Sequence, residues 1–136
     1  MPYRVLSHTA DTGVEATAST FPELVAELAR GMFALMATVD PCPDDHPLEV
    51  TIPGGPREDM VFDALAELLY RAEVEDLILC DIESEELSDG SLRISARGVS
   101  TRSVELTGPP VKAVTYHDLT VKHAEGEWFG RVILDV

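Results

Sequence analysis

From Asp76 to the last residue the chain offers only short apolar-alternating segments joined by tight turns, and this most limits what it can fold into. "DLILCDIESEEL" is followed by the turn "SDGS" and returns as "SLRISARGV", with Leu92, Ile94 and Ala96 in alternation. After a turn at Gly108, Pro109 and Pro110, "VKAVTYHDLTVKH" runs to the turn "AEGE" and closes with "WFGRVILDV". Parallel strands need a crossover of a dozen or more residues, whereas short turns join antiparallel ones. The second half therefore reads as two hairpins, and a doubly wound parallel sheet is excluded.

Two helical patterns precede them. "STFPELVAELARGMFALMATV" carries Leu24, Leu28, Phe33, Leu35, Met36 and Val39 at helical spacing, opened by a Thr20/Glu23 capping pattern with Pro22 in the first turn. Gly31 inside it costs about 1 kcal/mol against Ala, which points to close packing there. "EDMVFDALAELLYRAEVE" places Val61, Leu65, Leu68, Leu69 and Ala72 on one face. Two strands, the opening one in "YRVLS", precede the first helix, and a short strand, "LEVTI", separates the two helices. The reading is α+β: a two-layer, mostly antiparallel sheet with two helices packed on one face, as a single domain over residues 1–136.

Apolar residues make up 45% of the 136, enough for a core. No apolar stretch approaches a membrane span and no signal pattern opens the chain, so a cytoplasmic protein without a membrane partner is expected. Lys and Arg number 10 against 25 Asp and Glu, a formal charge of −15. Such a field repels nucleic acid, so no stable direct nucleic-acid binding is expected, and it favours cations or a basic protein. Solubility alone is the plainer explanation. Cys42 and Cys80 are far apart and lack a CxxC context. Cys80, inside an apolar run, reads as a small buried hydrophobe, and a disulfide between the two is left open. "PGGPRE" lacks the spacing of a phosphate loop.

Four places hold groups that can do chemistry: "SHTAD" with His8, Thr9 and Asp11; "KAVTYHD" with Lys112, Thr115, Tyr116, His117 and Asp118; Asp135 beside Val136; and the acidic run Asp81, Glu83, Glu85 and Glu86. Asp135 follows Ile133 and Leu134 at the edge of a core, next to the Val136 carboxylate. Two anionic groups at one spot call for a cation, and oxygen-only sites suit Ca²⁺, Mg²⁺ or Mn²⁺. Asp11, read as closing the first strand, completes such a set if the first and last strands are neighbours. A solvated terminus is the plain alternative. Lys112 reads either as a phosphate-holding cation or as a solvent-facing strand lysine. No nucleophile motif accompanies His8 or His117, and the acidic run reads as a solvated hairpin face.

Taken together, "HTAD", the two helices, "KAVTYH" and a penultimate Asp, in that order along the whole chain, resemble the archease family. The segment before "KAVTYH" departs from that resemblance, being shorter and more neutral. The resemblance implies a small α+β protein that is not itself an enzyme but an accessory factor of RtcB-type RNA ligases. It would speed guanylylation of the ligase by GTP and allow multiple turnover in tRNA splicing and RNA repair. It further implies a divalent metal held by Asp11 and Asp135, with a main-chain oxygen of Val136, and a functional Lys112. A small metal-dependent phosphoesterase and a metal-independent chaperone or adaptor are the competing readings.

Overall fold

The computed structural model describes residues 3–7, 11–43 and 45–136, with backbone alone at Leu6, Ser7 and Asp11. In chain order the elements are β1 (Tyr3–Ser7), β2 (Asp11–Ala18), α1 (Phe21–Ala34), β3 (Leu48–Ile52), α2 (Arg57–Glu75), β4 (Leu77–Glu86), β5 (Leu92–Ser100), a 3-10 turn at Thr101–Ser103, β6 (Ala113–Val114), β7 (Thr120–Ala124) and β8 (Glu127–Asp135). Among the described residues every strand pairing is antiparallel. Over the described residues the fold is α+β with two helices, and its strands divide between two sheets. One sheet has five strands in the order β1-β2-β8-β6, with β7 also on β8; the other has three, β3-β5-β4. Hairpin signals report only local pairing, so the sequence pattern does not reveal which hairpin joins which sheet.

Both helices bury their apolar faces between the sheets. Helix α1 lies against β1, β2 and β8 of the larger sheet and β4 of the smaller, and α2 packs on β3 and β4 and on β6 and β7. The core joins Leu24, Leu28, Met32 and Phe33 of α1 with Met60, Leu65 and Leu68 of α2, Ile82 of β4, Ile94 of β5 and Leu134 of β8. The Thr20 hydroxyl accepts from the Glu23 N–H at 3.2 Å, capping α1 as the sequence suggests. The Glu23 carboxylate is taken up by Arg30 at 2.9 Å. Helix α1 ends at Ala34 rather than running on to Val39. The Met36 carbonyl instead accepts from Thr107 N–H at 2.8 Å, and a Cβ on Gly108 would sit 2.0 Å from the Leu35 carbonyl oxygen. The loop before β6 thus docks on the end of α1 and stops it.

Cys80 corrects one expectation. It is half-buried, and it forms a disulfide with Cys42, with Cα atoms 5.7 Å apart. The β4–β5 register shifts between Leu79 and Asp81, so Cys80 sits at a bulge, where the ladder no longer dictates its facing. The bond fastens the loop after α1 to β4. The β7–β8 hairpin turns on Glu125 and Gly126, with φ of 54° and 76°. Both central residues of a type I′ turn need positive φ, which matches the twist of the flanking strands.

Helix α1 approaches the larger sheet closely because glycine occupies both sides of the contact. A Cβ on Gly31 would lie 2.5 Å from Val14 Cγ1 and 3.0 Å from the Tyr3 ring, and one on Gly130 of β8 would meet Leu28 at 2.9 Å. Gly31→Ala is expected to destabilise the protein by about 1–2 kcal/mol, although Ala is the better helix former by about 1 kcal/mol. Denaturant titration of the two proteins checks this.

Candidate functional site at the end of the larger sheet

Strand β8 is paired on both edges at its C-terminal end. Asp135 stands opposite Asp11 of β2 on one side and Ala113 of β6 on the other. The Lys112 N–H donates to the Asp135 carbonyl at 2.7 Å. Opposed residues in antiparallel strands have Cα atoms about 4.5–5.5 Å apart, so three separate segments meet within one or two residues of Asp135. Asp11 opens the second strand instead of ending the first. The preceding His8 and Thr9 lie outside the described residues.

Asp135 and Lys112 are both exposed, and among the described residues neither side chain has a hydrogen-bond or ion-pair partner. Val136 is half-buried, its side chain packed against the core. Like charges directly opposite each other in a sheet are destabilising, so an Asp11–Asp135 register asks for a cation. The available donors are hard oxygens, which fit Ca²⁺, Mg²⁺ or Mn²⁺. Among the described residues no three His, Cys, Asp or Glu side chains gather as a metal cluster, so such an ion would rest on two carboxylates, main-chain oxygen and water.

The rest of "KAVTYHD" holds this end of the sheet in place. Thr115 donates to the Ile133 carbonyl from its N–H at 3.1 Å and from its hydroxyl at 2.9 Å. Tyr116 stacks on Phe62 of α2 with ring centroids 4.0 Å apart, and its hydroxyl donates to Asp59 at 3.1 Å. His117 is exposed and lies 3.3 Å from Asp118, which takes a left-handed φ of 52°. None of these side chains joins Asp135. The acidic run lies on the other sheet: Asp81 pairs with Arg97, Glu85 with Arg93, and Glu86 with Arg57 at 3.1 Å, while Glu83 is exposed. That is the solvated face expected of it.

Sequence reasoning missed the groups that hold β2 to β8. Glu15 is only 5% exposed, yet it is charged, sitting opposite Arg131 and Arg4 in the register. Arg131 Nε donates to it at 2.8 Å and Arg4 Nε at 2.7 Å. Burial alone would raise the Glu15 carboxyl, but the hydrogen bonds and charges of Arg131 and Arg4 outweigh it and hold the group below the usual carboxylate range. The available signal was a Glu between Val14 and Ala16 in an alternating segment, which cannot be paired without the register.

The model of the Archease protein family (MTH1598/TM1083) matches residues 3–136. The chain belongs to the archease family. It is 28% identical to the archease of Methanopyrus kandleri, over 100% of both chains. It is 25% identical to that of Pyrococcus furiosus, over 95% of this chain and 94% of the relative. Its fold is similar to the solution structure of Protein 1598 of Methanobacterium thermoautotrophicum, with a TM-score of 0.84 and 27% identity over 98% of each chain. It also matches the crystal structure of an archease, "possible chaperone", from Thermotoga maritima, with a TM-score of 0.71 and 21% identity over 96% of this chain and 94% of the other.

Because the folded Glu15 carboxyl titrates below its unfolded value, its contribution is present above the unfolded pKa and is lost as pH falls through the folded one. Glu15→Gln is expected to cost about 1–3 kcal/mol at pH 7, the scale of a lost charge-assisted hydrogen bond. The difference from wild type should shrink on acidification below about pH 4. Denaturation midpoints of both proteins across pH 3–7 check this.

Proposed function

We propose that the chain is a metal-binding accessory factor of an RtcB-type RNA ligase, which promotes guanylylation of the ligase by GTP and so allows multiple turnover in tRNA splicing or RNA repair. Support comes from one observation in a member of the archease family: Asp11, Asp135 and Lys112, from three segments, meet in register at one exposed end of the larger sheet. Asp11, Asp135 and a main-chain oxygen of Val136 would hold the divalent ion, which when bound supplies concentrated positive charge for a polyphosphate. Lys112 adds a compact ammonium on a flexible stem, able to hold a phosphate oxygen as a point charge. The Thr115 and Tyr116 contacts keep that strand end fixed, so Lys112 projects from an ordered base. Orientation of this kind lowers a barrier by positioning and by charge stabilisation. The formal charge of −15 steers the molecule toward a basic RNA- and GTP-binding partner and away from free RNA. On this reading the chain assists catalysis and turns over no substrate of its own.

Multiple-turnover RNA ligation with the host's RtcB-type ligase, GTP and Mn²⁺ tests the proposal. The wild-type chain is expected to stimulate ligation. Asp135→Ala and Lys112→Ala should each lose about 100-fold of that stimulation, at the low end of the loss of one oriented charged contact. Normal stimulation by both variants, or none by the wild type with an active ligase, would refute it. GTP or phosphoester turnover by the chain alone, abolished in Asp11→Asn, would favour the phosphoesterase reading instead.

A further inference from the structure

An apolar pocket of about 150 Å³ opens where the end of α1, the last turns of α2 and the segment before β6 meet. Phe33 and Met36, Leu69 and Ala72, and Leu106 and Val111 line it. A void of roughly 150 Å³ lined by such residues is large enough to take a benzene-sized group. Glu73 and Asp76 stand at its rim, both exposed, and among the described residues neither has an ion-pair partner. The cation on this part of α2, Arg71, is already engaged by Glu75 at 3.2 Å. Leu106, itself part of the lining, is 55% exposed and carries the apolar surface out of the pocket mouth. Val111 lines the pocket, and the next residue is Lys112.

We infer that this pocket and its acidic rim form a docking surface for a basic amphipathic segment of a partner protein. An apolar anchor side chain fills the pocket, and adjacent Lys or Arg side chains pair with Glu73 and Asp76. Charge selects this occupant. A second copy of a chain carrying −15, or an anionic lipid surface, meets like charge at the rim, whereas a basic segment meets two free carboxylates beside an apolar socket. The inference is independent of the ligase reading, since it rests on the pocket and its rim alone.

The test is an amide-resonance titration of the isotopically labelled full chain with a synthetic leucine–lysine amphipathic peptide, and with a leucine–glutamate peptide of the same pattern as control. Shifts are expected to concentrate at Glu73, Asp76, Leu106 and Val111 with the basic peptide only. Leu106→Asp, at an exposed position that leaves the core intact, is expected to weaken binding about tenfold or more. This variant separates the mechanisms, because association driven by net charge alone would tighten when a carboxylate is added. Unchanged or tighter binding by Leu106→Asp, or shifts centred on Glu49, Glu83 and Glu85, would overturn the inference. So would concentration-dependent shifts of the pocket amides without peptide, which would assign the surface to a second copy.

Discussion

Strand β8 is paired along both edges, and its register decides which distant residues share the exposed end of the larger sheet. On one side it sets Asp135 against Asp11, and on the other against Ala113, with Lys112 bonded to the Asp135 carbonyl. A slip of one residue would carry every side chain to the opposite face. Two devices resist such a slip. Val14 and Ala16 of β2 and Val132 and Leu134 of β8 are buried in the core. On the other face Glu15 is clamped between Arg4 and Arg131. A buried carboxylate that loses either partner is costly, so any register that separates Glu15 from Arg4 and Arg131 is penalised.

Helix α1 supports the same arrangement from the core side. Glycine at position 31 and glycine at position 130 allow it to sit close on the sheet, directly over β2 and β8. Its end receives the loop that leads to Lys112, through the Met36 carbonyl and the space left by Gly108. Helix α2 fixes the far side of that segment by stacking Phe62 on Tyr116. The motif "KAVTYH" therefore divides its work. Thr115 and Tyr116 anchor the segment, and Lys112 is left free at the surface.

Much of this was legible in the chain. The helical stripes, the Thr20 cap, the tight turns at Gly90 and Gly126, and the significance of Gly31 are local or nearly local signals. The candidate residues were found as types in a pattern, Asp11 and Asp135 among them, but their meeting depended on strand order. Strand order is set by contacts between segments more than a hundred residues apart, for which a single sequence carries no direct signal. The same limit hid Glu15 opposite Arg131 and the division of the strands into two sheets. Cys80 was misread for a related reason: an apolar run suggests burial, and only the bulge between Leu79 and Asp81 brings it to Cys42. The pocket beside α2 was invisible because Leu106 and Leu69 belong to no common period.

On the proposed reading, one end of the five-stranded sheet gathers Asp11, Asp135 and Lys112 into a single site that would hold a cation. Paramagnetic broadening of amide resonances by substoichiometric Mn²⁺ tests it most directly, because the smaller sheet offers a rival acidic face in Glu49, Glu83 and Glu85. The amides of Asp11, Lys112, Ala113, Asp135 and Val136 are expected to broaden together, and Asp135→Ala to abolish the effect. Broadening centred on Glu49, Glu83 and Glu85, with the end of β8 untouched, would contradict it.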